Sequence, residues 1–291
     1  MTELAAERVT ELTDRQDPRL AHYRDLREAS LRRGSTDGQP CFIAEGPLVV
    51  RRAVAAGYQP ISFLLAPVWV ERLADVWSST AAPVYRADPA LIEGLTGFHV
   101  HRGALAALRR SEPASLDDLL ARDRLVVLQD LVDHANLGAI MRCAAGLGWD
   151  GLVLSAGAAD PLYRRAVKTS MGAVFVLPWA RAAAGLDLPA QLRRAGFRLT
   201  ALAPRSDAVD LTQWAAESAG QRLALLLGSE GPGLSPDWLA AADRVVRIPM
   251  WRGLDSLNVA TAAAIACYAL GPSGAPSGRK GSLGEIGQSA G

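Results

Sequence analysis

Lysine is almost missing from this chain: Lys168 and Lys280 are the only two in 291 residues, so nearly all positive charge is arginine. Arginine suits bidentate contact with phosphate or carboxylate and stacking on bases, although GC-rich codon usage is the simpler source of the same bias. Cysteine is scarce as well. Cys41, Cys143 and Cys267 lie far apart with no C-x-x-C, which argues against a zinc ribbon or a redox dithiol and fits a reducing cytosol. Net charge is scarce too: 31 basic against 30 acidic residues leave +1, which gives no global pull toward nucleic acid or membrane. The longest apolar stretch, "VATAAAIACYAL", is 12 residues, too short to span a bilayer and typical of a buried helix. "MTELAAERVTELTDR" has no apolar centre and does not read as a signal peptide. A cytoplasmic protein without a membrane partner is expected. Two nucleotide fingerprints are also lacking. "LGSEGPGLSP", residues 227–236, has no Gly-Lys-Ser/Thr ending and is not a G-x-G-x-x-G opening a helix, which disfavours a P-loop enzyme and a nucleotide-dependent oxidoreductase. His99 and His101 fall on one face of a strand pattern, but no His, Cys or Glu cluster joins them, so no metal site is expected.

What the chain does contain is an ordinary globular composition, 49 % hydrophobic and 21 % charged. Residues 1–40 are polar with helical patches and form an N-terminal extension. Residues 41–110 alternate strand and helix signals, from "CFIAEG" and "PLVVRRAVAAGY" to "GALAALRR", and predict a small α/β domain. "SEPASLDDLLARD", residues 111–123, reads as a linker. Residues 124–270 carry a second series with strands "RLVVLQD", "GLVLS", "VFVLP", "FRLTALA", "RLALLLG" and "VVRIPM", separated by helices. Strands without alternation, bounded by helices, predict a parallel sheet covered on both faces. The Gly/Ser-rich tail 271–291 is expected to be disordered.

Three strand ends of the second series carry polar clusters. The first is "LQDLVDHANLGAIMRCAAGLG", with Asn136 before a helix expected to begin near Leu137 and Arg142 on its second turn. The second is the loop with Glu230. The third, "IPMWRGLDSLNVATAAAIACY", sets Ser256 and Asn258 at the mouth of an apolar helix. Each has a plain structural explanation: Asn136 and Ser256 as N-caps, Arg142 as a surface charge, the loop glycines as turn formers. All three fall where open α/β sheets bind ligands, outside the carboxyl ends of the strands. Arg51–Arg52, Arg109–Arg110 and Arg164–Arg165 are ordinarily solvated charge, or cations that track phosphates if the partner is RNA.

Taken in order, N-x-G-x-x-x-R, "LLLGSEGPGLS" and "IPM…DSLNVATAAAI" resemble the SpoU, or TrmH-like, branch of the SPOUT RNA methyltransferases, and "VKTSMGAVFVLP" resembles that family's connecting motif. The resemblance spans 124–270 and, more loosely, 41–109, where "FIAEGPLVVRRAVAAG" and "HVHRGALAAL" look like the family's small L30e-like substrate-binding domain. It implies an α/β chain whose C-terminal parallel-sheet domain is threaded into a trefoil knot, an exception to the near absence of knots. It implies S-adenosylmethionine as cofactor, contacted by the backbone of Gly228, Ile248 and Leu257. It further implies methyl transfer to a ribose 2′-hydroxyl, with Arg142 positioning the hydroxyl and flanking phosphate because guanidinium stays protonated. Asn136, Ser256 and Asn258 order that site, and Glu230 holds the loops, through Arg142 or a partner subunit. Family members are homodimers with shared sites. Ribosomal RNA is favoured as substrate, with transfer RNA or a non-catalytic RNA-binding member as alternatives. The chain departs from many relatives in carrying Lys168 for arginine, which is expected to shift RNA contact without removing it.

Overall fold

Runs such as "RLVVL" and "LALLL" have no polar face to show to water, so their strands must be covered on both sides. In the structure, a computed structural model describing residues 8–24, 26, 40–97 and 103–272, they are. His99, His101 and nearly all of the tail lie outside the described residues. In chain order the elements are β1 (Val9–Glu11), β2 (Cys41–Glu45), α1 (Pro47–Ala55), β3 (Pro60–Leu65), α2 (Pro67–Arg72), α3 (Ala74–Ser78), β4 (Val84–Arg86), α4 (Pro89–Thr96), β5 (Ala104–Arg109), α5 (Leu116–Leu120), β6 (Arg124–Leu128), α6 (His134–Gly146), β7 (Gly151–Leu154), α7 (Arg164–Thr169), β8 (Trp179–Arg181), α8 (Leu188–Arg194), β9 (Arg198–Leu202), β10 (Val209–Asp210), α9 (Leu211–Glu217), β11 (Leu223–Leu227), α10 (Pro236–Ala241), β12 (Arg244–Arg247) and α11 (Val259–Ala269). Two units result. One runs to Glu112 and includes Leu162–Phe175; the other comprises Pro113–Pro161 and the described residues from Val176.

The first unit is built on a five-stranded mixed sheet, β1-β4-β3-β5-β2, in which β5 runs antiparallel to both neighbours. Its core gathers Leu20, Tyr23, Ile43, Leu64, Ile92 and Leu105. Two of these come from the stretch expected to be a polar extension. Instead of helical patches, that stretch supplies β1, paired in parallel with β4, and a 3₁₀ turn over Pro18–Tyr23. The buried Tyr23 hydroxyl donates to the Ser62 carbonyl at 2.9 Å and accepts the Ala107 N–H at 3.3 Å, as a buried polar group requires.

Residues 162–175 also belong to this unit. "VFVLP" does not form the expected strand: Ala173–Phe175 is a 3₁₀ turn, and β8 begins only at Trp179. The cause is local and tertiary together. Met171 and Gly172 take left-handed φ of 52° and 84°, turning Phe175 onto Phe42 and Tyr58 at centroid distances of 5.7 and 5.1 Å. Beside this aromatic cluster the Glu45 side chain, 1 % exposed, accepts from Arg164 at 2.7 Å and Lys168 at 2.6 Å. A carboxylate taken so far from water needs such partners.

The second unit holds a seven-stranded, wholly parallel sheet ordered β10-β12-β9-β11-β6-β7-β8. Leu125, Val127, Val153, Leu199, Ala224 and Leu226 fill one of its faces. The stretch read as a linker contributes to it: Ser115 and Asp118 form a capping box, and α5 buries Leu119 in this core. Helix α11 packs on α6, burying Ala260, Ala263, Ala266 and Cys267, and the Cys267 carbonyl accepts the Trp149 indole N–H at 3.0 Å. Because every strand runs the same way, the loops after β6, β11 and β12 emerge at one edge of the sheet.

Candidate functional site

Those three loops carry the three motifs, and two helix starts set their geometry. Helix α6 begins at His134, earlier than expected, because the Asp133 carboxylate accepts the Asn136 N–H at 2.8 Å and caps it. Asn136 is therefore not the cap, and its side-chain amide is free for other work. At α11 the cap is Asn258 rather than Ser256: its Oδ1 accepts the N–H groups of Ala260 and Thr261 at 2.9 and 3.3 Å. That leaves the Asn258 Nδ2 free to reach across.

Both amides converge on one carboxylate. Asn136 Nδ2 donates to Glu230 Oε1. Asn258 Nδ2 donates to the same oxygen at 3.3 Å and to Asn136 Oδ1 at 3.1 Å. Glu230 is exposed at its loop tip, yet it sits against the N-termini of α6 and α11, where negative charge is favoured by roughly 0.3–1 kcal/mol per helix. One residue from each motif thus closes a three-membered network. The expected link from Glu230 to Arg142 is not made within the chain. Arg142 lies six residues along α6 from Asn136, roughly 9 Å along the axis and about 120° around it. It is exposed and has no polar partner among the described residues. Ser256 is exposed, while Ile248 and Leu257 are half-buried at the two ends of the loop from β12 to α11.

The glycine loop has its own construction. A Cβ on Gly228 would stand 2.1 Å from the Gly233 carbonyl carbon, so Gly228 is demanded by the loop's returning backbone. Gly231 and Gly233 supply the left-handed turns, at φ 88° and 69°, and the Gly233 N–H closes onto the Ser229 carbonyl at 3.0 Å.

Several positioning residues have no signal in the sequence. Gln129, at the end of β6, donates from Nε2 to Ser235 Oγ and accepts the Ser235 N–H on Oε1, both at 2.9 Å. This two-point clamp ties the far end of the Glu230 loop to the first motif. Asp130 is held left-handed at φ 49°. Its N–H donates to Ser155 Oγ at 2.9 Å, and that hydroxyl donates to its carboxylate at 2.7 Å. The Arg181 guanidinium gathers the carbonyls of Ser155, Ala156, Ala158 and Ala159 between 2.6 and 3.2 Å, fixing the loop after β7.

The arginine pairs are largely committed within the first unit. Arg51 pairs with Asp75, which raises its pKa; Arg52 donates to the Met171 carbonyl, and Arg110 to that of Cys41. Arg164 and Lys168 hold Glu45, so Lys168 also serves as a strut. A cavity of about 620 Å³ lies in this unit among Tyr58, Gln59, Ser79, Thr80 and Arg109, and none of its lining residues belongs to the three motifs. Among the described residues no three His, Cys, Asp or Glu side chains gather as a metal site.

A parallel open sheet with a polar network at its strand ends defines an α/β protein of the ligand-binding class. The comparisons with known proteins make this specific. Residues 123–268 match the SpoU rRNA Methylase family. An uncharacterized tRNA/rRNA methyltransferase of Mycobacterium bovis is 45 % identical over 264 residues, spanning 89 % of this chain and 91 % of that protein. An AdoMet-bound rRNA methyltransferase from Sinorhizobium meliloti superposes with a TM-score of 0.74 at 26 % identity, over 90 % of this chain and 97 % of its own. A structure described as an RNA 2′-O ribose methyltransferase gives 0.71 at 25 % identity, covering 90 % and 98 %. The chain belongs to the SpoU rRNA methylase family.

Proposed function

We propose that this protein transfers the methyl group of S-adenosylmethionine to a ribose 2′-hydroxyl of RNA, with ribosomal RNA the favoured substrate. The observation that carries this reading is the joining of Asn136, Glu230 and Asn258, one from each of three distant motifs, at the carboxyl edge of a parallel sheet. Family membership and the AdoMet-bound relative support the cofactor, and the ribose methyltransferase neighbour supports the acceptor. The reading includes a trefoil-knotted C-terminal domain and an L30e-like first domain that helps hold RNA.

The residues present fit the cofactor. Nothing stands where side chains on Gly231 and Gly233 would be, so the loop offers bare backbone, and Ile248 and Leu257 add half-buried apolar surface. Such a mixture suits an adenosyl group. S-adenosylmethionine, when bound, supplies an electrophilic methyl carbon. The protein must then align the acceptor and ease loss of one proton. A guanidinium is a hydrogen-bond donor and not a base, so Arg142 holds the hydroxyl and its flanking phosphate. Glu230 keeps the heads of α6 and α11 in register, and Ser256 orders the rim beside them. Because Arg142 stands away from its own chain's network, each site is completed across a homodimer, with exposed Val132, Ile265 and Tyr268 in the contact.

Mapping 2′-O-methyl nucleotides by mass spectrometry in host RNA, with and without the gene, tests this. Loss of one ribosomal methyl, restored by the wild type and not by Arg142→Ala, is the expected result. Loss from transfer RNA would move the substrate there. No lost ribose methyl, with the purified protein still binding RNA, would favour a non-catalytic member.

A further inference from the structure

The loop from β12 to α11 holds the most exposed large apolar side chain among the described residues: Trp251, 82 % exposed. An indole left this open in water is unusual enough to ask what meets it. The backbone beneath it is shaped. Arg252 and Gly253 take left-handed φ of 60° and 72°, and the Leu254 N–H returns to the Trp251 carbonyl at 3.3 Å. A non-glycine residue held left-handed is uncommon and persists where its surroundings determine it. Five and seven residues further on stand Ser256 and Asn258, the latter in the amide–carboxylate network. Every residue from Trp251 to Ser256 is exposed.

Three ligands fit an exposed indole: a second copy of the chain, the cofactor's adenine, or a nucleobase of the substrate. A second copy fits poorly. Interface centres are depleted in charge, whereas Trp251 is followed by exposed Arg252 and Asp255. The other exposed apolar residues, Ile265 and Tyr268, lie along α11 roughly 10 and 15 Å from its head. Unpaired bases are recognised by stacking on aromatic rings and arginine planes, and Trp251 with Arg252 offers both in adjacent positions. The Asp255 carboxylate on the same loop repels bare phosphate, so the base rather than the backbone belongs here.

We propose that Trp251 and Arg252 form a stacking platform for an unpaired nucleobase of the RNA substrate, beside the strand-end network. This rests on the RNA-methyltransferase reading above and adds to it the requirement for single-stranded or extruded RNA.

The test uses the full chain as wild type, Trp251→Ala, Trp251→Phe and Arg252→Ala. The probes are a fluorescent single-stranded RNA of about a dozen mixed nucleotides and the same sequence fully paired. Trp251→Ala is expected to weaken single-strand binding about 5- to 150-fold, as loss of one stacked base does, and to leave duplex binding unchanged. Trp251→Phe should retain most of the affinity. Arg252→Ala should also weaken single-strand binding and leave the slope of log affinity against log salt nearly unchanged, because its guanidinium stacks on a base rather than neutralising a phosphate. S-adenosylmethionine affinity by calorimetry and mass by light scattering should match wild type in all variants. Unchanged single-strand affinity in Trp251→Ala overturns the platform. So does a loss confined to the cofactor, which makes the indole an adenine cover, or a loss of the dimer, which makes it an interface residue. A wild type that binds neither RNA removes the underlying RNA reading itself, a result distinct from any of these.

Discussion

Glu230 is the residue on which the strand-end network depends, since both asparagine amides use its one oxygen. Hydrogen bonds to charged groups contribute roughly 1.5–3 kcal/mol, so Glu230→Ala is expected to lower kcat/KM about 10- to 150-fold. Its exposure lets water replace part of what is lost, so the melting temperature should fall by no more than a few degrees. Steady-state kinetics alongside calorimetric melting check both halves, and wild-type activity would sink the assignment. Gln129 acts one step removed. Gln129→Ala loses both contacts to Ser235 and should raise the Kd for S-adenosylmethionine by about tenfold. Gln129→Glu keeps an oxygen for the Ser235 N–H and accepts its hydroxyl proton. It should stay within a few-fold of wild type, a rescue that separates positioning from general damage. Arg142→Ala should abolish turnover while cofactor affinity changes only a few-fold, because among the described residues the guanidinium has no polar partner in either loop proposed to hold the cofactor.

Among the elements, the glycine loop and the 162–175 segment were understood least from their sequences. Gly228 is expected to offer its backbone to the cofactor, and a Cβ there would also meet the loop's own returning backbone. Even Gly228→Ala must therefore open the loop, and it should both lower the melting temperature and abolish cofactor binding. Near-normal values of both would mean the closed loop is dispensable. "VFVLP" has the composition of a strand, yet Phe175 packs on Phe42 and Tyr58 instead, and the left-handed Met171–Gly172 turn takes it there. Glu45 anchors the same segment. Glu45→Ala leaves Arg164 and Lys168 without their acceptor, but both are partly exposed and can rehydrate. A cost of about 1–3 kcal/mol is expected, read as a shift in the urea midpoint at constant m.

For the whole molecule, the near-zero net charge and the internal pairing of Arg51, Arg52, Arg110 and Arg164 limit how RNA can be held. Arg51→Ala should change RNA affinity and its salt dependence little, because that side chain already serves Asp75. Assembly is the other property at this scale. Light scattering at micromolar concentration is expected to give a dimer, and a charge placed on the exposed α11 surface, as in Tyr268→Glu, should yield monomers that have lost turnover. An active monomer would contradict the shared site.

The sequence by itself determined the alternation of strand and helix, the parallel second sheet and the strand-end location of Asn136, Glu230 and Asn258. Each of these is a property of near neighbours: periodicity, turn residues, the absence of a polar face. Cap identity was nearly as local, yet Asp133 and Asn258 won over Asn136 and Ser256 because only the folded loop decides which oxygen faces the free N–H groups. The tertiary structure alone decided what meets what. Asn136 and Glu230 are 94 residues apart, and Gln129 and Ser235 are 106. Their pairing follows from β6 lying next to β11 in the sheet, and strand order is set by the packing of the whole core, which no spacing along the chain records.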